Sequence, residues 1–216
     1  MKLQISFDMI DLDKALELAH DIAPYATIIE IGTPLIYHYG TTAIERFKNS
    51  FPSNIILADT KIVDHSKDIV TLCARAGADW VTVMAGTNKN AIHTACTTAH
   101  EQNIKIMLDL LDSASIAQSA VDAKNLGVSA ILFRQPSDER DSLVLIDKWD
   151  LVRGNTNVPV FAAGRVNRTT INEFIALKPQ GLVVGKSITD AQDPVTEAQF
   201  FHRLCNDDTN GEKHNV

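Results

Sequence analysis

Short apolar segments recur along the chain at a nearly constant spacing. Candidate β-strands begin near residues 2, 28, 54, 80, 105, 130, 158 and 181. Successive starts are therefore 23 to 28 residues apart. Each segment is rich in β-branched side chains and bounded by polar or turn-forming residues, which is typical of a buried strand. Regular spacing of this size, with a helical pattern in each interval, indicates repeated strand–helix units.

The intervals between these strands carry apolar residues at helical spacing. Three such stripes are Leu12, Ala15, Leu16, Ala19 and Ile22; Ile69, Leu72, Cys73 and Ala76; and Ile92, Ala95, Cys96 and Ala99. Gly77 and Gly127 stand where helices are expected to end before the next strand. Asp193-Pro194 is expected to begin the last helix, with a capping residue followed by proline in the first turn.

Eight strands that alternate with eight helices predict an α/β protein with a single-domain (β/α)8 TIM barrel over residues 1–205. An open doubly wound sheet is the alternative fold. It is less favoured because no G-x-G-x-x-G follows the first strand and the chain has no P-loop. Residues 206–216 carry no apolar stripe and predict a flexible C-terminal tail.

Composition and charge exclude several classes of protein. The 216 residues suit one large core, and 45% hydrophobic with 22% charged residues is typical of a soluble globular domain. A net charge of −7 and a pI near 5.4 argue against a nucleic-acid partner. No apolar run approaches the roughly 18 residues that span a bilayer, so no membrane partner is expected. Cys73, Cys96 and Cys205 form no C-x-x-C pair, which argues against disulfides and structural zinc and indicates a cytoplasmic protein.

Charged residues end one otherwise apolar strand, in the segment Ala58-Asp59-Thr60-Lys61-Ile62-Val63-Asp64. Side chains alternate between the two faces of a strand, so Asp59 and Lys61 share a face and Asp64 lies just past the end. Unpaired charge inside a barrel is costly. The segment therefore indicates a site for a metal or an anionic intermediate, or else a buried ion pair that only fixes the strand register. We favour the chemical interpretation because ionisable groups at the carboxyl ends of barrel strands are typically functional.

Other strand ends carry acids too. Asp8, Glu30 and Asp109 end the first, second and fifth strands, so with Asp59 and Lys61 they are expected to converge on one mouth of the barrel. Carboxylates with open coordination positions suit Mg²⁺.

The seventh and eighth strands predict a phosphate site. They end in Ala162-Ala163-Gly164-Arg165 and Val184-Gly185-Lys186-Ser187. The loops after these two strands form the usual phosphate site of such barrels, and Arg165 and Lys186 would add positive charge. The alternative is that both glycines merely turn the chain.

His65 follows Asp64 in the loop after the third strand. Near the mouth it could carry protons during a reaction. The alternative, which we weigh equally, is a solvated loop residue.

Four segments together resemble a known family. They are D-x-K-x-x-D at Asp59, Lys61 and Asp64, I-E-I-G-T-P-L-I at Ile29–Ile36, G-A-D-W-V-T-V at Gly77–Val83 and G-K-x-I-T at Gly185–Thr189. The chain from Lys2 to about Cys205 resembles the orotidine-monophosphate decarboxylase suprafamily. Within it, the residues are similar to those of 3-hexulose-6-phosphate synthases and 3-keto-L-gulonate-6-phosphate decarboxylases.

The resemblance implies a role for several of these residues. Glu30 and Asp59 match the Mg²⁺ ligands, and Lys61 matches the lysine that stabilises a cis-enediolate. Asp64 matches an aspartate that reaches across a homodimer interface into the neighbouring site, and Asp8 matches a polar active-site residue. The phosphate of the sugar substrate is expected at the positions of Gly164, Gly185 and Lys186.

The two activities share the enediolate but form it differently. The synthase makes it from ribulose 5-phosphate and adds formaldehyde, whereas the decarboxylase makes it by losing CO₂. Asp109, Ser137 and Ala163 stand where the decarboxylase tends to have glutamate, arginine and threonine. The sequence therefore favours the synthase, with the decarboxylase as the alternative.

Two positions depart from the family pattern. Arg134 occupies the place of the histidine that moves protons, and Arg165 replaces the second glycine of A-G-G. An arginine stays protonated at neutral pH and cannot act as a general base, although it can hold an oxyanion. Proton transfer would then use His65 or Asp64. A divergent or non-catalytic phosphosugar-binding barrel is a third hypothesis.

Overall fold

The computed structural model describes residues 1–134 and 148–207, and its strands form a closed parallel barrel in sequence order. The predicted TIM barrel is confirmed, and every strand begins within two residues of its predicted start. The strands are β1 (Lys2–Phe7), β2 (Ile28–Ile31), β3 (Ile55–Ile62), β4 (Trp80–Met84), β5 (Lys105–Asp109), β6 (Ala130–Arg134), β7 (Val160–Ala163) and β8 (Gly181–Val184).

Helices fill the intervals between the strands. They are α1 (Leu12–Ile22), α2 (Thr33–Tyr39), α3 (Thr41–Ser50), α4 (Ser66–Arg75), α5 (Lys89–Glu101), α6 (Ile116–Asn125), α7 (Trp149–Arg153), α8 (Ile171–Ala176), α9 (Lys186–Thr189) and α10 (Pro194–Asp207), with a 3-10 turn at Ala23–Tyr25. Within the described ranges, no helix has the length and hydropathy needed to cross a membrane.

The predicted helix patterns are largely confirmed. The α1 stripe is fully buried. In the α4 stripe, the predicted burial of Leu72 is wrong, because its side chain is exposed. Val70 is buried instead, since it lies one turn from Cys73 on the inner face of the helix. Gly77 and Gly127 have φ angles of 95° and 82°, the left-handed conformation that ends a helix.

The last helix begins and ends close to the predicted positions. Asp193 Oδ1 accepts a hydrogen bond from the Thr196 N–H at 3.0 Å, which caps α10. The helix continues through Asp207, two residues beyond the predicted boundary at 205. The predicted tail from 208 onward, and Ser137, lie outside the described residues.

One apolar layer lies outside the barrel wall, under the helices, and a second lies inside the barrel. Alternation on β1 sends Leu3, Ile5 and Phe7 into the layer shared with the helices. Gln4 and Ser6, the intervening residues, therefore face the barrel interior. The second layer lies within that interior and consists of Ile28, Leu57, Trp80, Met107, Ala130, Leu132, Phe161, Ala163 and Val183.

Gly181 makes room for an aromatic ring in this interior. A Cβ atom at Gly181 would lie 2.2 Å from two carbons of the Phe161 ring, which also packs on Trp80 with centroids 6.3 Å apart. We expect Gly181→Ala to lower the free energy of unfolding by about 1–3 kcal/mol, as overpacking does. Chemical denaturation measures this change. The double variant Gly181→Ala/Phe161→Leu is expected to recover part of the loss, and equal stability of Gly181→Ala and the wild type would contradict the packing argument.

Candidate active site

The carboxyl ends of the strands surround a cavity of about 630 Å³. Its wall contains most of the residues that the sequence predicted for the site. Those are Asp8, Glu30, Asp59, Lys61, Arg134, Gly164, Arg165, Gly185 and Lys186, joined by Ser6 and Thr33. Acids therefore occupy the β1–β3 side, and the glycine loops with two cations occupy the β7–β8 side.

A buried charge cluster lies at the bottom of this cavity. Lys61 Nζ lies 2.9 Å from Asp59 Oδ2 and 3.1 Å from Asp109 Oδ2. Arg134 Nη1 lies 3.9 Å from the same Asp109 oxygen. Asp109 is fully buried and does not line the cavity. It lies beneath the two cations and pairs with them, and its predicted catalytic role stays a prediction.

The charge state of Lys61 follows from this cluster. Burial alone would lower the pKa of the Lys61 ammonium, but the carboxylates of Asp59 and Asp109 outweigh burial and raise that pKa above its usual value. Lys61 is therefore a fixed cation at the cavity wall at neutral pH.

An irregularity in β3 aims Lys61 into the cavity. Lys61 has a φ of 48°, and the pairing of β3 with β4 shifts between Ala58 and Ile62. Thr82 bridges the interruption: its Oγ1 accepts from the Lys61 N–H at 2.9 Å and donates to Asp59 Oδ1 at 2.8 Å. A non-glycine residue in the left-handed region is strained, and such strain concentrates at functional sites.

A second polar group follows β1 and β2. Glu30 is 4% exposed and accepts a hydrogen bond from Gln4 Nε2. Ser6 Oγ donates to Asp8 Oδ2 at 3.1 Å. Burial, followed by the negative charges of Asp59 and Asp8, raises the pKa of Glu30 to about 8. These carboxylates thus repel one another across a small space.

The donor set fits Mg²⁺. Within residues 1–134 and 148–207, no three His, Cys, Asp or Glu side chains form a metal cluster. Mg²⁺ typically takes only one or two carboxylates and keeps water and substrate oxygens as its other ligands. Glu30 and Asp59 are two such carboxylates at one wall, and a divalent cation would offset both the burial and the repulsion that raise the pKa of Glu30.

The opposite wall is built from two irregular turns. Gly164 and Arg165 have φ angles of 125° and 42°, and Asn167 Nδ2 and Thr170 Oγ1 donate to the Arg165 carbonyl oxygen at 3.0 and 2.9 Å. Gly185 precedes the short helix α9. Exposed Arg165 and Lys186 side chains flank these turns, which suits an anionic group.

Asp64 and His65 lie elsewhere. Their side chains are 83% and 76% exposed, and they line a separate groove with Asp68, Asn88 and Asn90. His65 lies in the loop after β3, as expected, but it does not line the main cavity, because β3 ends at Ile62 and the loop runs outward from there. Its predicted proton-carrying role stays a prediction.

Four residues that contact the charged groups escaped the sequence analysis: Gln4, Ser6, Thr33 and Thr82. Thr33 Oγ1 lies 2.8 Å from both the carbonyl oxygen and Oδ2 of Asp59. The sequence could have predicted two of them. Gln4 and Ser6 are polar residues that alternate with apolar ones along β1, and this alternation places them on the same face as Asp8.

Comparisons with known proteins identify the family and agree with the barrel fold. The family model described as "Orotidine 5'-phosphate decarboxylase / HUMPS family" matches residues 1–201. A 3-hexulose-6-phosphate synthase of Bacillus subtilis is 30% identical over 206 residues, which cover 94% of this chain and 98% of the relative. A crystal structure of a 3-hexulose-6-phosphate synthase superposes with a TM-score of 0.87 at 31% identity, covering 94% of this chain and 98% of the other. The 3-keto-L-gulonate-6-phosphate decarboxylase of Vibrio cholerae shares the fold, with a TM-score of 0.82 at 22% identity over 95% of this chain and 97% of the other.

Proposed function

Because the chain belongs to the orotidine 5'-phosphate decarboxylase / HUMPS family, we propose that it is a Mg²⁺-dependent carbon–carbon lyase of the 3-hexulose-6-phosphate synthase type. The substrates would be ribulose 5-phosphate and formaldehyde. The observation that carries the proposal is the ammonium of Lys61, held at the cavity wall between Asp59 and Asp109, with the glycine turns after β7 and β8 lining the same cavity.

The reaction needs stabilisation of negative charge. The candidate base, Asp64 or His65, would remove a proton from C1 of ribulose 5-phosphate and leave a cis-enediolate. Its C1 then forms a bond to the formaldehyde carbon as the C=O π bond breaks, and the formaldehyde oxygen takes that proton from the base. Charge develops on the substrate oxygens, so a preorganised cation beside them lowers the barrier.

Lys61 is suited to that task. An ammonium has three N–H groups, and among the described residues two of them serve Asp59 and Asp109. The third is available to an oxygen of the ligand. Because both carboxylates are buried and Thr33 and Thr82 hold Asp59, the ammonium needs no rearrangement when charge develops.

Glu30 and Asp59 would hold the metal. When bound, Mg²⁺ supplies Lewis-acid stabilisation of the substrate oxygens. The two carboxylates face the same cavity as Lys61, so ligand oxygens placed there would meet positive charge from two directions.

The phosphate would bind at the β7 and β8 turns. Gly164 and Gly185 allow close approach of the backbone, and Arg165 and Lys186 add positive charge. Arg134, next to Lys61 and Asp109, would stabilise an oxyanion rather than accept a proton, because it stays protonated.

An assay with purified protein separates the candidate functions. With Mg²⁺, ribulose 5-phosphate and formaldehyde, we expect formaldehyde consumption that depends on both the metal and the sugar phosphate. Release of CO₂ from 3-keto-L-gulonate 6-phosphate, without formaldehyde consumption, would instead establish the decarboxylase. Binding of ribulose 5-phosphate without either turnover would establish the phosphosugar-binding barrel.

We further propose a homodimer in which Asp64 acts in the neighbouring site. Asp64 is exposed on a loop at the carboxyl end of the barrel. Large apolar side chains at the same end, Ile10, Tyr37 and Val63, are 58% to 84% exposed, and such exposure is typical of an interface. Asp64 cannot serve the cavity of its own chain from its separate groove, so a second copy would have to bring it.

Subunit mixing tests this arrangement. Lys61→Ala and Asp64→Ala homodimers are each expected to be inactive. If Asp64 acts across the interface, a mixed dimer contains one site with both residues intact, so mixing restores activity. Formaldehyde consumption after refolding a mixture measures this. If both residues act in one chain, mixed dimers stay inactive, and a monomer by sedimentation would also contradict the proposal.

A further inference from the structure

A buried amide lies behind the Glu30 carboxylate. Gln4, on β1, is fully buried and donates from Nε2 to Glu30 Oε2. Gln4 Oε1 has no hydrogen-bond partner among the described residues. Glu30 lines the cavity, but Gln4 does not. Any effect of Gln4 on a ligand must therefore pass through Glu30.

The orientation of this amide is fixed by its neighbour. With Glu30 ionised, as a metal ligand must be, turning the Gln4 amide over would place its carbonyl oxygen against a carboxylate oxygen of Glu30, and two acceptors repel. The observed orientation avoids that contact but leaves a buried carbonyl oxygen unpaired, and native proteins rarely tolerate such a group. A buried amide whose oxygen is unpaired indicates that its N–H donor, here Gln4 Nε2, has a function.

Packing gives no competing reason for an amide at this position. The register partners of Gln4 are Ile28 on β2 and Val183 on β8, and both belong to the apolar layer inside the barrel. An apolar side chain would fit these neighbours without leaving an unpaired oxygen. Glu30 is thus the one polar group among the described residues to which the Gln4 side chain forms a hydrogen bond.

We propose that Gln4 is a positioning residue that holds the Glu30 carboxylate at the cavity wall for the divalent cation. The inference rests on the proposed metal-dependent function. Partners behind a metal ligand fix its orientation, and their removal typically weakens metal affinity about 10- to 100-fold. A purely structural role for Gln4 would instead change the stability of the fold and leave metal affinity unaltered.

Mn²⁺ binding to the intact protein, followed by electron paramagnetic resonance without substrate, distinguishes the two roles. Gln4→Met keeps the side-chain length, removes the donor and also removes the unpaired oxygen. We expect the Mn²⁺ dissociation constant to rise about 10- to 100-fold, while the melting temperature of the metal-free protein stays close to that of the wild type.

Ile5→Val is the matched control. Ile5 neighbours Gln4 on β1 but points into the helix layer, so its shortening lowers stability and should leave the dissociation constant unchanged. Equal Mn²⁺ affinity of Gln4→Met and the wild type would overturn the positioning role of Gln4 and leave the proposed metal site intact. A wild-type protein that binds no Mn²⁺ would overturn the metal proposal and this inference with it.

Discussion

Replacing Lys61 by alanine is expected to lower kcat for formaldehyde consumption by about 10²- to 10³-fold. This is the usual effect of removing one preorganised donor from a developing oxyanion. The geometry supports a loss at the upper end, because Lys61 Nζ lies within 3.1 Å of two buried carboxylates. Without the ammonium, those carboxylates would face the ligand's negative charge directly. Steady-state kinetics with saturating ribulose 5-phosphate measures the change.

The same substitution should also affect stability. Breaking a buried ion pair from one side typically costs about 3–5 kcal/mol, and partial exposure of Lys61 reduces that value. Activity is therefore compared only after circular dichroism shows a folded protein. Lys105→Ala is the control, because Lys105 lies over the Trp80 ring at the opposite end of the barrel, 5.3 Å from its centroid. Lys61→Ala with activity like that of Lys105→Ala would remove Lys61 from the mechanism.

Replacing Glu30 by glutamine is expected to lower Mg²⁺ affinity and turnover together, turnover by at least about 10²-fold. A bound metal typically contributes several kcal/mol of charge stabilisation, and each 1.4 kcal/mol is about tenfold in rate. An amide has the shape of the carboxylate but carries no charge to attract the cation. Calorimetric titration with Mg²⁺ and steady-state kinetics measure the two losses.

Glu30→Gln should weaken metal binding and turnover, but it should increase the stability of the metal-free protein at alkaline pH. The pKa of Glu30 in the folded protein, about 8, is above its usual value of 4.5, so the folded state holds its proton more tightly than the unfolded chain. This contribution to stability is present below pH 4.5 and is lost as pH rises through about 8. Glu30→Gln should remove this loss and be more stable than the wild type at alkaline pH. Glu45→Gln, an exposed control on α3, should behave like the wild type. A Glu30→Gln protein that keeps wild-type Mg²⁺ affinity would contradict the ligand role.

The fold was predictable because it is encoded in repeated local patterns. Each strand of the barrel is buried on both faces and therefore appears as a short apolar run. Each outer helix has one apolar stripe, as in α1. Alternation along β3 also placed Asp59 and Lys61 on one face, and the strand ends located Glu30 and the two glycine turns at the same mouth.

The depth of each charged side chain below the mouth of the barrel, and the direction in which it points, were not predictable from the sequence. Asp109 is the last residue of β5 and Glu30 is the next-to-last of β2, yet Asp109 lies under Lys61 instead of in the cavity wall. The register of a closed barrel sets that depth, and a sequence pattern of period two contains no register between strands. Similarly, the irregularity at Lys61 redirects the chain after β3 and carries Asp64 and His65 away from the cavity.

Residues that support the charged groups were missed for a different reason. Thr82 lies within a buried strand, where threonine is common for its β-branched shape. Its hydroxyl becomes informative only when the interruption of β3 places Lys61 N–H and Asp59 Oδ1 beside it. Gln4 was detectable as a polar residue in an apolar strand, but only the structure shows Glu30 in front of it.

We propose that this cavity stabilises a negatively charged fragment of a ketopentose phosphate. Exchange of the C1 hydrogen of ribulose 5-phosphate with solvent deuterium, followed by NMR without formaldehyde, tests it most directly. We expect the wild-type protein with Mg²⁺ to incorporate deuterium at C1, and Lys61→Ala to do so far more slowly. Ribulose 5-phosphate that binds to the wild-type protein with Mg²⁺ but keeps its C1 hydrogens would contradict the claim.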